Sequence, residues 1–298
     1  MHLSTHTWMR PEPLEVTLKR ASSLGYKSVE LAGEPDRYTI KETKALLEKY
    51  NMTCWGAVTI MYGTRDLSAA NPAQRESTIH YMKRVVDLAA GLGAEIITVV
   101  PCIVGKLHPT AGAHDEWEWV AHGMRVVTKY AAEKGLRVAL EPLNRFETYL
   151  ITNISEALHL VKEVNEPNLG IAFDPFHISI EEPDLIAALR RCGDKLYDFH
   201  LGDNNRLSPG DGSLDWPRIV QTLREIGYKG GLAHEAMPPI DRSPGGDFGS
   251  KQLEAEPWDV DEGTLQFLKD HASGVLRDDY YTAMLARTVE TIQPLLDG

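Results

Sequence analysis

Eight short apolar runs recur along the 298 residues, each followed by a polar loop and then by a stretch of helical periodicity. The first four are Leu3–Trp8, Ser28–Gly33, Thr53–Thr59 and Glu95–Cys102. The others are RVALEPL, LGIAFDPF, LYDFHLGD and GGLAHEA. Continuous apolar runs of this length suit strands covered on both faces, as in a parallel sheet. The stretches between them carry helix punctuation. Thr39 with Glu42 reads as a capping box. Asn71 before Pro72, Asn153 with Glu156, and Asp215 before Trp216-Pro217 read as N-caps. Gly25, Gly93, Gly135 and Gly227 close helices ahead of the next strand.

Eight strand–helix units predict an α/β fold, a (β/α)8 TIM barrel. A doubly wound sheet is disfavoured, because STHTWMRPEP after the first strand has no glycine with which to cradle a phosphate. With 43% hydrophobic residues the chain can fill one large core, so residues 1–298 are expected to form a single domain. Residues 238–278 are expected to be an added loop with an extra helix, Glu262–His271, after the eighth strand. A last helix is expected over Asp279–Leu296.

Charge and cysteine content exclude several function classes. The formal net charge of −12 disfavours nucleic acid and anionic membrane as partners. Cys54, Cys102 and Cys192 are few, odd in number and widely spaced, which suits neither a disulfide framework nor a thiolate zinc site. No run reaches the roughly 18 apolar residues that span a bilayer. MHLSTHTWMRPEP lacks the pattern of a signal peptide, so a cytoplasmic location is expected.

In a parallel barrel all strand C-termini meet on one face, where catalytic groups collect. Glu141, Asp174, His200 and Glu235 each stand at such an end. Three carboxylates and one imidazole suit a single divalent ion, Mn2+ first, with Mg2+ or Co2+ as alternatives. Glu147, His177 and Arg206 follow in the same loops and are placed to orient a polyol. His177 reads either as a proton shuttle or as a core histidine. His6 and Trp8 end the first strand, and Glu30 is a further acid that could face the site. Lys106 and His108, after the fourth strand, are placed to cover the mouth.

At EPLNRFETYLIT, DPFHISIEE and HLGDNNRLSPGDGSLDW the chain resembles ketose 3-epimerases of the D-tagatose and D-psicose type, within the sugar-phosphate isomerase/epimerase family of metal-dependent barrels. The resemblance implies that Glu141, Asp174, His200 and Glu235 bind the metal. It implies that Glu141 and Glu235 serve as acid and base on opposite faces of the substrate, with Glu147, His177 and Arg206 on the sugar oxygens. The function it implies is a keto-sugar epimerase or isomerase that removes the proton next to a carbonyl through a metal-bound enediolate. The DNNR…PG.G.LDW segment is also similar to 3-keto-glycoside epimerases and to the catalytic subunit of C-glycoside deglycosidases. That likeness implies an alternative, a lyase on 3-keto glycosides with a small partner subunit. Homo-oligomerisation is equally open. DPFHISIEE departs from the DTFHMNIEE of the ketose epimerases, and the segment after Glu235 has no counterpart in minimal family members.

Overall fold

The computed structural model describes residues 1–240, 249, 251–254, 262, 265 and 274–298. Eight parallel strands close into a barrel in sequence order: β1 His2–His6, β2 Ser28–Ala32, β3 Thr53–Val58, β4 Ile96–Val99, β5 Arg137–Leu140, β6 Leu169–Phe173, β7 Leu196–Leu201 and β8 Gly231–His234. The helices are α1 Leu14–Ser23, α2 Ile40–Lys49, α3 Pro72–Leu92, α4 Ala113–Glu133, α5 Ile154–Val164, α6 Pro175–Glu181, α7 Leu185–Cys192, α8 Trp216–Glu225 and α9 Asp278–Asp297. The expected (β/α)8 barrel is the observed fold. The helix expected over Glu262–His271 and most of the added segment lie outside the described residues.

Strand edges are shorter than the apolar runs because pairing stops where the chain turns outward into the loops. The β1 run ends its pairing at His6, leaving Thr7 and Trp8 to begin the loop. Asn71, Asn153 and Asp215 cap as read: their side chains accept from Ala73 N, Glu156 N and Arg218 N at 3.0, 3.0 and 3.1 Å. The Thr39 box does not form. Its hydroxyl donates to the Glu42 carboxylate instead of accepting a backbone N–H, because a nearby charged acceptor competes for the same hydroxyl. Gly25, Gly93, Gly135 and Gly227 all have left-handed φ, between 76° and 94°.

Side chains alternate across each strand, and this divides the core. On β6 and β7, Phe173 and Phe199 face the helices and stack with ring centroids 5.7 Å apart, both fully buried. Phe173→Ala should cost about 3–5 kcal/mol of stability, read as a shifted urea midpoint at unchanged slope. The inward residues are unusually polar: Ser4, His6, Ser28, Glu30, Thr98, Asp198 and His200 are all buried. Such an interior is tolerated only where the polar groups meet partners or a ligand, and these lie directly beneath the strand ends.

Candidate active site

Glu141, Asp174, His200 and Glu235 converge at the C-terminal end of the barrel. One ligand atom from each lies within 4.8 Å of the others, and all four residues are buried. His200 Nδ1 stands 3.1 Å from Glu141 Oε1 and 2.7 Å from Glu235 Oε2. Neither is a hydrogen bond: His200 Nδ1 and Glu235 Oε2 are both buried without a hydrogen-bond partner. Asp174 Oδ1 caps α6 by accepting from Phe176 N at 2.9 Å, leaving Oδ2 for the site.

A hard divalent cation fits this set. Three carboxylates and an imidazole are an ordinary oxygen-rich coordination environment. The unpartnered His200 Nδ1 and Glu235 Oε2 are the two atoms that most need a cation or a proton between them.

The β7–α8 loop builds the next part of the site around Asp203. Its buried carboxylate accepts from Asn204 N, Gly210 N, Leu214 N and Trp216 Nε1, at 2.8 to 3.1 Å. This closes a turn in which Arg206 N donates to Asp203 O at 2.9 Å. Arg206 takes a left-handed φ of 64° there, which aims its side chain back over the barrel. The guanidinium donates to Asp174 Oδ2 and, at 3.2 Å, to Glu235 Oε1, and it lies over the Phe176 ring at 4.4 Å. Arg206 thus bridges two of the three converging carboxylates.

His177, on α6, is buried with Nε2 3.4 Å from Asp174 Oδ2. The Asn144 backbone N–H donates to its Nδ1 at 3.1 Å, so Nδ1 is the acceptor and the proton sits on Nε2. The Asn144 amide also contacts Nδ1, at 2.8 Å, and donates to Glu147 Oε1 at 2.9 Å. Asn144 therefore links Glu147 to His177. It escaped the sequence reading because an asparagine in a loop gives no sign of what it orients.

On the opposite side, His6 lies between two acids. Its Nε2 is 3.7 Å from Glu235 Oε2 and its Nδ1 is 3.9 Å from Glu30 Oε2. The His6 and His200 rings meet edge-on at 4.7 Å, and Trp8 follows at 6.0 Å from His6. A cavity beside them is lined by Trp8, Tyr38, Ile60 and Tyr62 among others. Lys106 is turned inward instead of covering the mouth: its ammonium lies 2.7 Å from both Glu116 Oε2 and Ser68 Oγ. A buried ammonium needs such an anionic partner, and the partner here fixes the loops after β3 and β4 to α4. His108 is exposed, its Nδ1 3.4 Å from the Pro109 carbonyl oxygen.

The acids are set apart electrostatically. Burial pushes the Glu141 carboxyl up, against the pull of His200. Glu235 resists the same burial and lies well below the usual carboxylate range, because Arg206 and His200 hold its charge. Burial, then the charges of Asp198, Glu235 and Glu141, push Glu30 well up against the pull of His200. Burial and His200 pull His6 down to about 3, leaving it neutral. His200 is also penalised by burial, but Glu141, Glu235 and Asp198 raise it well above an ordinary histidine.

A family model described as xylose isomerase-like TIM barrel matches residues 18–246. The chain is 30% identical over 279 residues to a D-psicose 3-epimerase of Enterocloster bolteae, covering 87% of this chain and 90% of that one. It is 28% identical over 234 residues to a 3-dehydro-D-guloside 4-epimerase of Escherichia coli, covering 76% and 87%. The crystal structure of a D-allulose 3-epimerase from Methylomonas sp., in complex with D-allulose, superposes with a TM-score of 0.83 at 24% identity, covering 99% of this chain and 96% of that one. At that identity the structural likeness speaks for the fold. Together with the match over residues 18–246, the closed eight-stranded barrel shows that this chain belongs to the xylose isomerase-like TIM barrel family.

Proposed function

We propose that this protein is a divalent-metal-dependent epimerase of keto sugars, working by removal and return of the proton on the carbon next to the carbonyl. The observation that carries the reading is the convergence of Glu141, Asp174, His200 and Glu235 at the strand ends, with two glutamates among them. The similarity to the D-psicose and 3-dehydro-D-guloside epimerases supports it.

Glu141, Asp174, His200 and Glu235 would hold the ion. When bound, the cation supplies Lewis-acid polarisation of a carbonyl and neutralises developing negative charge. Inversion of a carbon needs one group to take its proton from one face and another to give a proton from the opposite face. Glu235 and Glu141 are those groups, one immediately after β8 and one immediately after β5. Arg206 holds the charge on Glu235 and neutralises Asp174, which keeps a base ionised in a buried site. His177 presents its Nε2–H on the Asp174 side and contributes a donor to a sugar oxygen. Glu147, tied to His177 through Asn144, contributes an acceptor. His6 and Trp8 form the wall by β1, and His108 belongs to the loop rim that closes over substrate.

The test is proton NMR in D2O with the Mn2+-treated enzyme desalted to remove free ion, using D-fructose and, separately, a 3-keto glucoside. Deuterium entering next to the carbonyl, with an epimer as product, is the expected result. A released aglycone in place of an epimer would move the assignment to elimination. No exchange with either sugar by protein shown to hold metal would overturn the reading. Arg206→Ala is expected to lower kcat/KM by roughly tenfold to a hundredfold, the value of about 1.5–3 kcal/mol for a hydrogen bond to a charged group. An unchanged kcat/KM would remove Arg206 from the site's working groups.

A further inference from the structure

Beneath the converging carboxylates, Asp198 makes more directed contacts than a strand-interior acid needs for charge compensation. It is fully buried on β7, two residues before His200 and therefore on the same inward face. Its Oδ1 accepts from Trp55 Nε1 at 3.1 Å and from the Phe199 backbone N–H at 2.9 Å. Its Oδ2 accepts from Thr98 Oγ1 at 2.7 Å and lies 3.1 Å from His200 Nε2. Donors from β3, β4 and β7 thus fix the carboxylate plane. The pairing of β6 with β7 passes over Tyr197, a local irregularity that brings Asp198 into register with Ala172.

We propose that Asp198 is a positioning residue that sets the tautomer of His200, so that Nδ1 offers its lone pair to the cation. The inference rests on the metal-dependent reading of the site. With Oδ1 closed by two N–H groups and Oδ2 receiving the Thr98 hydroxyl, the carboxylate presents only an acceptor to Nε2. Nε2 must then donate. The remaining nitrogen, Nδ1, is the one that faces Glu141 and Glu235. A carboxylate behind a ligating histidine fixes ring orientation and makes the ligand more basic. Among the described residues, Asp198 is the hydrogen-bond partner of His200 Nε2, at 3.1 Å.

Asp198→Asn tests this sharply because it conserves shape. The amide oxygen keeps the two N–H groups of Trp55 and Phe199. The amide nitrogen then replaces Oδ2 and presents a donor to Nε2. His200 must respond by accepting at Nε2 and carrying its proton on Nδ1, where the ion belongs. The expected result is a Kd for Mn2+, by equilibrium dialysis, weaker by about tenfold to a hundredfold. Circular dichroism should show the barrel intact. A Kd equal to that of the unaltered protein overturns the proposal.

If Asp198→Asn does not fold, the unaltered protein decides. The 15N spectrum of histidine-labelled, Zn2+-loaded protein should show His200 Nε2 protonated and Nδ1 as the ligating nitrogen. The reverse assignment overturns the proposal. Unaltered protein that binds neither Mn2+ nor Zn2+ would instead refute the metal reading on which the inference rests, and the inference with it. Normal metal binding with the wrong tautomer refutes the role of Asp198 alone.

Discussion

Glu235→Gln should lower kcat/KM by roughly a thousandfold or more, the upper part of the range for losing a positioned acid–base group. Glutamine keeps the size of the side chain and can still accept from Arg206 through its amide oxygen. What it loses is the charge, and with it both proton transfer and one anionic contribution to cation binding. Deuterium exchange should be lost from the epimer whose proton faces Glu235, while any exchange left to Glu141 is confined to the opposite face and gives no epimer. Glu141→Gln is expected to behave alike, since either face of the carbon needs its own group. A Glu235→Gln enzyme with the unaltered rate would remove Glu235 from the chemistry and the proposed mechanism with it.

Chelation is the second large effect. Enzyme dialysed against EDTA and freed of it should be inactive, and Mn2+ should restore activity. At free Mn2+ a hundredfold above its Kd, the folded state should gain about 2.7 kcal/mol. Melting should move upward by several degrees, measured by calorimetry with and without the ion. The pH dependence has a definite sign. Without a cation, the acids around His200 raise its affinity for a proton despite burial. The stability from that ion pairing is therefore fully present below the ordinary histidine value near 6.5 and is lost as pH rises through the raised folded value. A cation must displace that proton, so Mn2+ affinity should fall as pH is lowered. Full activity after chelation, with melting unaffected by Mn2+, would contradict the cofactor assignment.

The converging four were legible because strand C-termini in a parallel barrel share one face. Strand recognition alone then brings Glu141, Asp174, His200 and Glu235 together from distant positions. Arg206 is legible as a loop residue close to the strand ends, but its direction is not. Its pairing with Asp174 and Glu235 depends on the Asp203-centred turn and a left-handed backbone at a non-glycine position, which HLGDNNR does not announce. Lys106 follows the fourth strand, where a mouth residue is expected, and is instead held by Glu116 on α4, whose approach depends on packing. Asp198 lies inside an apolar run, where composition does not mark it. Its spacing of two from His200 was the available signal, since on a strand that spacing places a carboxylate behind the ring.

The eight-fold alternation, the closed parallel barrel and the meeting of four ligand-type side chains at one end are already written in the order of residues. Those follow from local periodicity and from a topology in which all strands run the same way. Which nitrogen of His200 faces the acids, which of those acids Arg206 holds ionised, and which polar side chains fill the barrel beneath them emerge only in the folded chain. Those depend on directions and distances of about 3 Å between residues far apart in the chain, where hydrogen bonding is decided.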